Sequence, residues 1–320
     1  MRERWPRTAP VLTLDEAEAS TLLAPVTGGA PIVSLEPLGG GHSNTNIAVR
    51  LADATFVLRL YQRDPAQARK EAAIAALVHA RVPAPRYLHI GRRDSNGQVF
   101  AIVEFVAGET LHAFAKSAAD ELLAAAGESV GGALAAIHGF TFDIAGFFDG
   151  DLKITPFPGG SSNAAFLETC FRGIARDRIG SELADRVLTF ARRNEHRAEV
   201  WNVPPRLTHF DFGPTNILVR GDGTVAGIVD WEFAAAASPA ADFGNLLRPP
   251  LGHRPGFAEA VEKGYRDAGG TLPDDWRELL RLADLGAWAE FMTRADASEQ
   301  LVEDARVAFR QAVASEGRAS

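Results

Sequence analysis

Between Leu207 and Glu232 the chain reads LTHFDFGPTNILVRGDGTVAGIVDWE, and its oxygen-bearing side chains fall at intervals that suit chemistry. Four residues separate Asp211 from Asn216, and Asp230 follows two short apolar runs, 217–219 and 225–229. The runs flank the turn signal Arg220-Gly221-Asp222-Gly223, the pattern of a β-hairpin. Such a hairpin would bring the loop carrying His209, Asp211 and Asn216 beside the one carrying Asp230. A carboxylate that orients a hydroxyl, next to an amide and a second carboxylate offering oxygen to Mg²⁺, suits phosphoryl transfer. The plainer alternative is a polar, turn-rich hairpin in which Asp211 and Asn216 only bond the loop backbone.

The chain must then be large enough to hold such a site. Its 320 residues suffice for two lobes and a sizeable core, and 46% hydrophobic content fits a globular enzyme. The net charge of −8 and the lack of a basic stripe argue against a nucleic-acid surface. An acidic balance is compatible with a cationic substrate without requiring one. Cys170 is the single cysteine, which excludes an intrachain disulfide and a cysteine zinc site. No apolar run reaches membrane-spanning length, and MRERWPRTAP is not followed by a signal-type apolar stretch, so the cytoplasm is the expected compartment and no membrane partner is expected.

Taken in order, Thr13 caps a first helix, and strands follow over 32–38, 45–51 and 55–60. The glycine-rich turn Gly39-Gly40-Gly41-His42-Ser43-Asn44 joins the first two strands. Without Cβ atoms its backbone could approach phosphate oxygens, although glycines also serve hairpins for geometry alone. A helix over 66–80 precedes strands over 86–91 and 98–105. Beyond them the periodicity turns helical. Ser117 caps a helix ending near His138, which fits a helix-end packing role better than a base. The run 146–162, rich in Gly, Pro and Phe, reads as a loop, and helices follow over 163–179 and 181–200. Helices over 257–268, 276–295 and 298–316 close the chain. Asp284, Trp288 and Glu290 on the second of these could line a pocket for a cationic or ring-bearing molecule, or could be its solvated and core faces.

The Asp-to-Asn interval matches the kinase catalytic-loop pattern, and Asp230-Trp231-Glu232 follows the hairpin. With them the chain resembles the aminoglycoside phosphotransferase and choline kinase-like family. That resemblance implies an α+β, bilobal protein-kinase-like fold. Its small N-lobe, residues 1–106, would hold an antiparallel sheet with one helix, and its larger, mainly helical C-lobe would span 107–320. It further implies ATP or GTP with Mg²⁺ as cofactors, a small hydroxylated substrate, and a monomer or homodimer. Asp211 would be the base, with Asn216 and Asp230 on the metal. Gly39, Gly40, Gly41 and Ser43 would cover the phosphates, and Arg59 would grip them with Glu71 as its partner. The backbone near Glu104 and Val106 would read the base edge, and His209 and Asp242 would support the loop. Glu232, Asp284, Trp288 and Glu290 would face the acceptor. Three positions depart from common kinase patterns. Phe210 stands where the family commonly has glycine, Arg59 where kinases carry lysine, and Phe212 follows the Asp with no lysine beside it, whereas protein kinases carry a lysine two residues after the catalytic Asp.

The last departure, with no recognisable activation segment between Asp230 and Asp242, disfavours protein phosphorylation. Antibiotic inactivation and metabolite phosphorylation both remain as substrate readings. A nucleotide-binding module without catalysis would show degraded carboxylates, and Asp211, Asn216 and Asp230 are intact.

Overall fold

The computed structural model describes residues 9–39, 44–157, 160, 162–201 and 204–314. Gly40, Gly41 and Ser43 of the glycine-rich turn lie outside the described residues, whereas Gly39 is exposed at the end of the first strand.

The amino-terminal part is an antiparallel sheet sandwiched between two helices. Helix α1 (Glu16–Thr27) begins at Asp15, whose carboxylate accepts from Glu18 N–H at 2.8 Å. That cap lies later in the chain than the Thr13 expected from the sequence, and Asp serves the purpose as well. Strands β1 (Ser34–Leu38), β2 (Thr45–Arg50) and β3 (Thr55–Leu60) follow, then α2 (Gln67–Val78), β4 (Tyr87–Arg92) and β5 (Val99–Glu104). The sheet order is β1-β2-β3-β5-β4, so β5 lies between β3 and β4, and it is buried on both faces. Alternation along β5 shows how. Phe100 and Ile102 pack with Leu22 and Leu23 of α1, while Val99, Ala101 and Val103 pack with Ala68 of α2.

Helices dominate the remainder. After β6 (Glu109–Thr110) come α3 (Leu111–Ser117), α4 (Asp120–His138), β7 (Gly146–Phe148), β8 (Ile154–Pro156), α5 (Asn163–Cys170), α6 (Ile174–Ile179) and α7 (Ser181–Trp201). Strands β9 (Arg206–Thr208), β10 (Ile217–Val219), β11 (Val225–Ile228) and β12 (Ala235–Ala237) precede α8 (Ala240–Leu246), α9 (Phe257–Asp267), α10 (Trp276–Thr293) and α11 (Glu299–Ala314). Two small sheets, β11-β10-β6 and β8-β7-β12-β9, frame the segment from Leu207 to Glu232.

Several local expectations change. The run 146–162 is not wholly a loop, because β7 and β8 pair across a turn in which Asp149 accepts from the N–H groups of Asp151 and Lys153. Ser117 ends α3 instead of capping α4, whose N-cap residue is Ala119. The helix expected over 163–179 breaks into α5 and α6 at Gly173. Among the described residues no helix is long and apolar enough to cross a membrane.

The crossing of α4 on α9 depends on glycine. A Cβ built on Gly264 would lie 2.0 Å from the carbonyl oxygen of Glu128, and one on Gly131 would lie 2.2 Å from that of Val261. Backbone oxygens cannot swing aside. Alanine raises helix propensity by about 1 kcal/mol, but overpacking against a fixed atom costs about 1–3 kcal/mol. Gly264→Ala is therefore expected to destabilise in urea unfolding. Gly132→Ala has only Gly264 O nearby, at 3.9 Å, and should stabilise by about 0.4–1 kcal/mol. Equal responses at the two positions would contradict the crossing geometry.

Candidate active site

The hairpin β10–β11 closes through Arg220 and Thr224, with Gly223 at φ +85°. Val229 N–H donates to Asn216 O at 3.0 Å, which sets Asp230 beside the loop that precedes the hairpin. That loop is fixed from below by Asp242, which is fully buried. Its Oδ2 accepts from His209 N–H and its Oδ1 from Phe210 N–H, both at 2.8 Å. His138 Nε2 lies 3.2 Å from Oδ2, and His138 Nδ1 lies 3.0 Å from the Tyr265 hydroxyl. Burial pushes the His138 imidazole below its usual pKa, against the pull of Asp242. A neutral ring then donates to Asp242 and accepts from Tyr265.

The loop turns sharply under this hold. Phe210 takes φ +65°, a conformation that costs a bulky residue on the order of 1–3 kcal/mol. His209 points inward, its Nε2 donating to Val229 O at 2.9 Å and its ring 4.6 Å from that of Trp231. Asp211 points the other way. Asn216 Nδ2 donates to Asp211 Oδ2 at 3.0 Å and to Asp211 O at 2.9 Å, and Asn245 Nδ2 donates to Oδ1 at 3.2 Å. Two amides thus orient one carboxylate.

Asn245 is absent from the residues singled out in the sequence. Its only signal is its spacing from Asp242, three residues on, which puts both on one face of α8. Asn245 Oδ1 accepts from Arg248 Nη1 at 2.8 Å, Arg248 Nε donates to Asp284 at 2.9 Å, and Trp288 Nε1 donates to Asp284 at 2.6 Å. Asp284 and Trp288 therefore connect to Asp211 through this relay. Glu290 does not, being paired with Arg294 at 2.7 Å.

Opposite stands a second charged group. Arg59 on β3 donates from Nη2 to Glu71 Oε1 at 2.8 Å and to Asp230 Oδ1 at 2.6 Å, with Glu232 Oε2 at 3.7 Å. Glu71 on α2 is fully buried, and its other oxygen accepts from the hydroxyls of Tyr61, at 2.8 Å, and Tyr87. Burial raises the Glu71 pKa, partly offset by Arg59. Burial, together with the charge of Asp230, pushes Glu232 up to about 8. Glu71, Asp230 and Glu232 each bring an oxygen within 4.8 Å of the others, a spacing that could hold a metal ion. Glu232 thus joins the acids around Arg59. Asn44, just after the glycine-rich turn, donates to Glu232 at 3.2 Å.

Of the remaining residues, Glu104 uses its N–H on Arg86 O at 2.9 Å and its carboxylate on the Arg86 side chain. Val106 packs so close to Gly227 that a Cβ there would lie 2.8 Å from Val106 Cγ1. Beside the Asp211 loop a cavity of about 320 Å³ is lined by Lys116, Thr215, Arg248, Arg254 and Trp288 among others, with no carboxylate residue in its lining.

Comparison with known proteins agrees with this architecture. The GDP complex of a point mutant of aminoglycoside 2'-phosphotransferase-IIIa superposes with a TM-score of 0.72 at 17% identity, covering 95% of this chain and 99% of that one. A GDP and kanamycin complex of a similar enzyme gives 0.71 at 19% identity, covering 93% and 98%. A thermostable variant of aminoglycoside phosphotransferase APH(4)-Ia, in a ternary complex with AMP-PNP and hygromycin B, gives 0.69 at 18% identity, covering 96% and 100%. At these identities the likeness is one of fold, the bilobal kinase-like one. No curated protein sequence matches the chain. A family model described as the phosphotransferase enzyme family matches residues 34–282, from β1 into α10, and the chain belongs to that family.

Proposed function

We propose that the protein moves the γ-phosphate of ATP or GTP, bound with Mg²⁺, to a hydroxyl of a small organic molecule, with Asp211 as the base. The observation that carries this reading is the Asp211 carboxylate. It is held by Asn216 and Asn245 on a loop tied to Asp230, across from the buried Arg59. Two amide donors leave the carboxylate oriented and still able to accept a hydroxyl proton, the role that phosphoryl transfer asks of it.

The chain's own groups fit a nucleotide and a divalent ion. Arg59 Nε is buried without a hydrogen-bond partner, a donor that a phosphate oxygen would satisfy. Glu71, Asp230 and Glu232 set three carboxylates around one guanidinium, so full ionisation leaves a surplus of negative charge that a divalent cation matches. Asn216 and Asp230 would hold that ion, and Glu232 offers a further oxygen. When bound, Mg²⁺ neutralises phosphate charge as the transfer proceeds. Glu71 keeps Arg59 aimed into the cleft. The division into a nucleotide lobe, 1–106, and an acceptor lobe, 107–320, belongs to the same reading. With Glu104 N–H already bonded to Arg86, the donor to the base edge falls to Val106.

The similar enzymes are complexes with kanamycin or hygromycin B, and an antibiotic acceptor is the second reading. The cavity beside Thr215 favours the first, because no carboxylate lines it and a polycation would find no counter-charge on its wall.

An ADP- or GDP-release screen across hydroxylated metabolites and antibiotics tests the reading. Asp211→Asn should lower kcat by about 10²–10⁴, and undiminished turnover would rule Asp211 out as the base. Asp230→Asn should raise the Mg²⁺ concentration needed for half-maximal rate, and an unshifted Mg²⁺ titration would remove it from the metal site. Glu71→Ala removes one of the two carboxylates bonded to the buried Arg59 and the acceptor of two tyrosine hydroxyls. Breaking a buried pair costs about 3–5 kcal/mol, so the variant should unfold at clearly lower urea.

A further inference from the structure

Phe210 occupies a backbone conformation that glycine adopts freely. The twin hydrogen bonds to Asp242 impose the turn whatever residue stands there, so the phenyl ring is not needed to make it. Nor is the ring buried: Phe210 is 37% exposed, between a fully buried His209 and a nearly buried Asp211. It stacks on Phe157 at 6.1 Å and 25°, and meets the edge of Phe147 at 6.2 Å. Phe147 and Phe157 meet edge to face at 4.7 Å, and Phe147 is 42% exposed. Three mutually packed rings, two of them exposed, therefore begin one residue along the chain from the proposed base. Apolar surface of this kind gains from being covered.

We propose that Phe210, Phe147 and Phe157 form the acceptor platform, and that the acceptor is an uncharged molecule presenting an apolar ring face close to the hydroxyl that receives phosphate. The inference rests on the phosphotransferase reading above and narrows its substrate class. Aromatic faces also attract cations, and that alternative is weakened by what borders the rings. Lys70 Nζ already lies 6.0 Å from the Phe147 ring centroid, so a cationic acceptor would meet an ammonium there. The cavity on the Thr215 side of the Asp211 loop has no carboxylate in its lining to hold a cation. A neutral ring meets neither penalty, and stacking orients it without a charged anchor.

The test pairs turnover with binding. Nucleotide diphosphate release is measured with wild type on alcohols that carry an apolar ring, on acyclic polyols of similar size, and on kanamycin. Ring-bearing alcohols should show at least tenfold higher kcat/KM than the other two groups. Phe210→Gly, which relaxes the backbone, and Phe147→Ala, at an exposed position, should each erase most of that preference through KM. Preference for polyols or kanamycin, or a preference that survives both substitutions, overturns the platform. Saturation-transfer NMR with 2-naphthylethanol needs no turnover and separates the two readings. Ring binding that both variants lose, with no alcohol phosphorylated, supports the platform and sinks the phosphotransferase reading. Polyol turnover without ring binding does the reverse.

Discussion

Asp242 is a carboxylate with no exposed surface, and both of its oxygens are taken by consecutive backbone N–H groups of the loop that carries Asp211. Charge-assisted bonds of this kind are stronger than neutral ones, and burial strengthens them further. Holding two successive N–H groups on one side forces the chain to reverse. His209 is driven inward onto Trp231, Phe210 outward, and Asp211 toward the amides of Asn216 and Asn245. The support extends into the helical scaffold. His138 closes α4 and bonds both Asp242 and Tyr265, and Tyr265 follows Gly264, one of the glycines that let α9 approach α4. A contact between two backbones thus fixes a hydrogen-bond chain that ends at the carboxylate.

Across the cleft the governing constraint is charge. Glu71 is buried yet accepts three hydrogen bonds, one from Arg59 and two from tyrosine hydroxyls, which offsets the penalty of removing it from water. Arginine in this place does what lysine cannot. A single guanidinium nitrogen bridges Glu71 and Asp230 while Nε stays available. A lysine would bring one point charge and no planar fork. Arg59 therefore links β3 and α2 to the far end of the β10–β11 hairpin, which couples the two parts of the molecule at the site itself.

Much of this was legible because a few spacings admit few arrangements. The Asp211–Asn216 interval, the turn at Gly223 and the apolar runs around it specify a hairpin with acids at its base, and the structure brings Asp211, Asn216 and Asp230 to that base. The unbroken apolar run Val99-Phe100-Ala101-Ile102-Val103 likewise reads as a strand, and the structure buries it on both faces. The missing parts lack such periodicity. Strands β7 and β8 span three residues each, too few for alternation to show, and their sheet depends on partners far along the chain. Asn245 is one amide on a short helix, and nothing local marks its bond to Asp211. Asp284 and Trp288 read as one stripe with Glu290, yet the relay through Arg248 takes the first two and leaves Glu290 to Arg294.

Among the described residues three non-glycine positions hold positive φ: Leu152, Phe210 and Asp230. Two have a local reason. Leu152 sits in the β7–β8 turn and packs against the main core. Asp230 is a residue type that tolerates the left-handed region, and its carboxylate is bonded to Arg59. Phe210 has neither excuse, since its ring is partly open and its residue type is poorly suited to the conformation. In the sequence the same position reads as a backbone matter, a bulky residue where relatives commonly have glycine. Its φ shows that glycine's conformation is kept while glycine is not. Where a local preference is overridden for a ring that packs only on two other partly open rings, a functional account has its motive, and here the overridden residue adjoins the carboxylate on which the proposed chemistry rests.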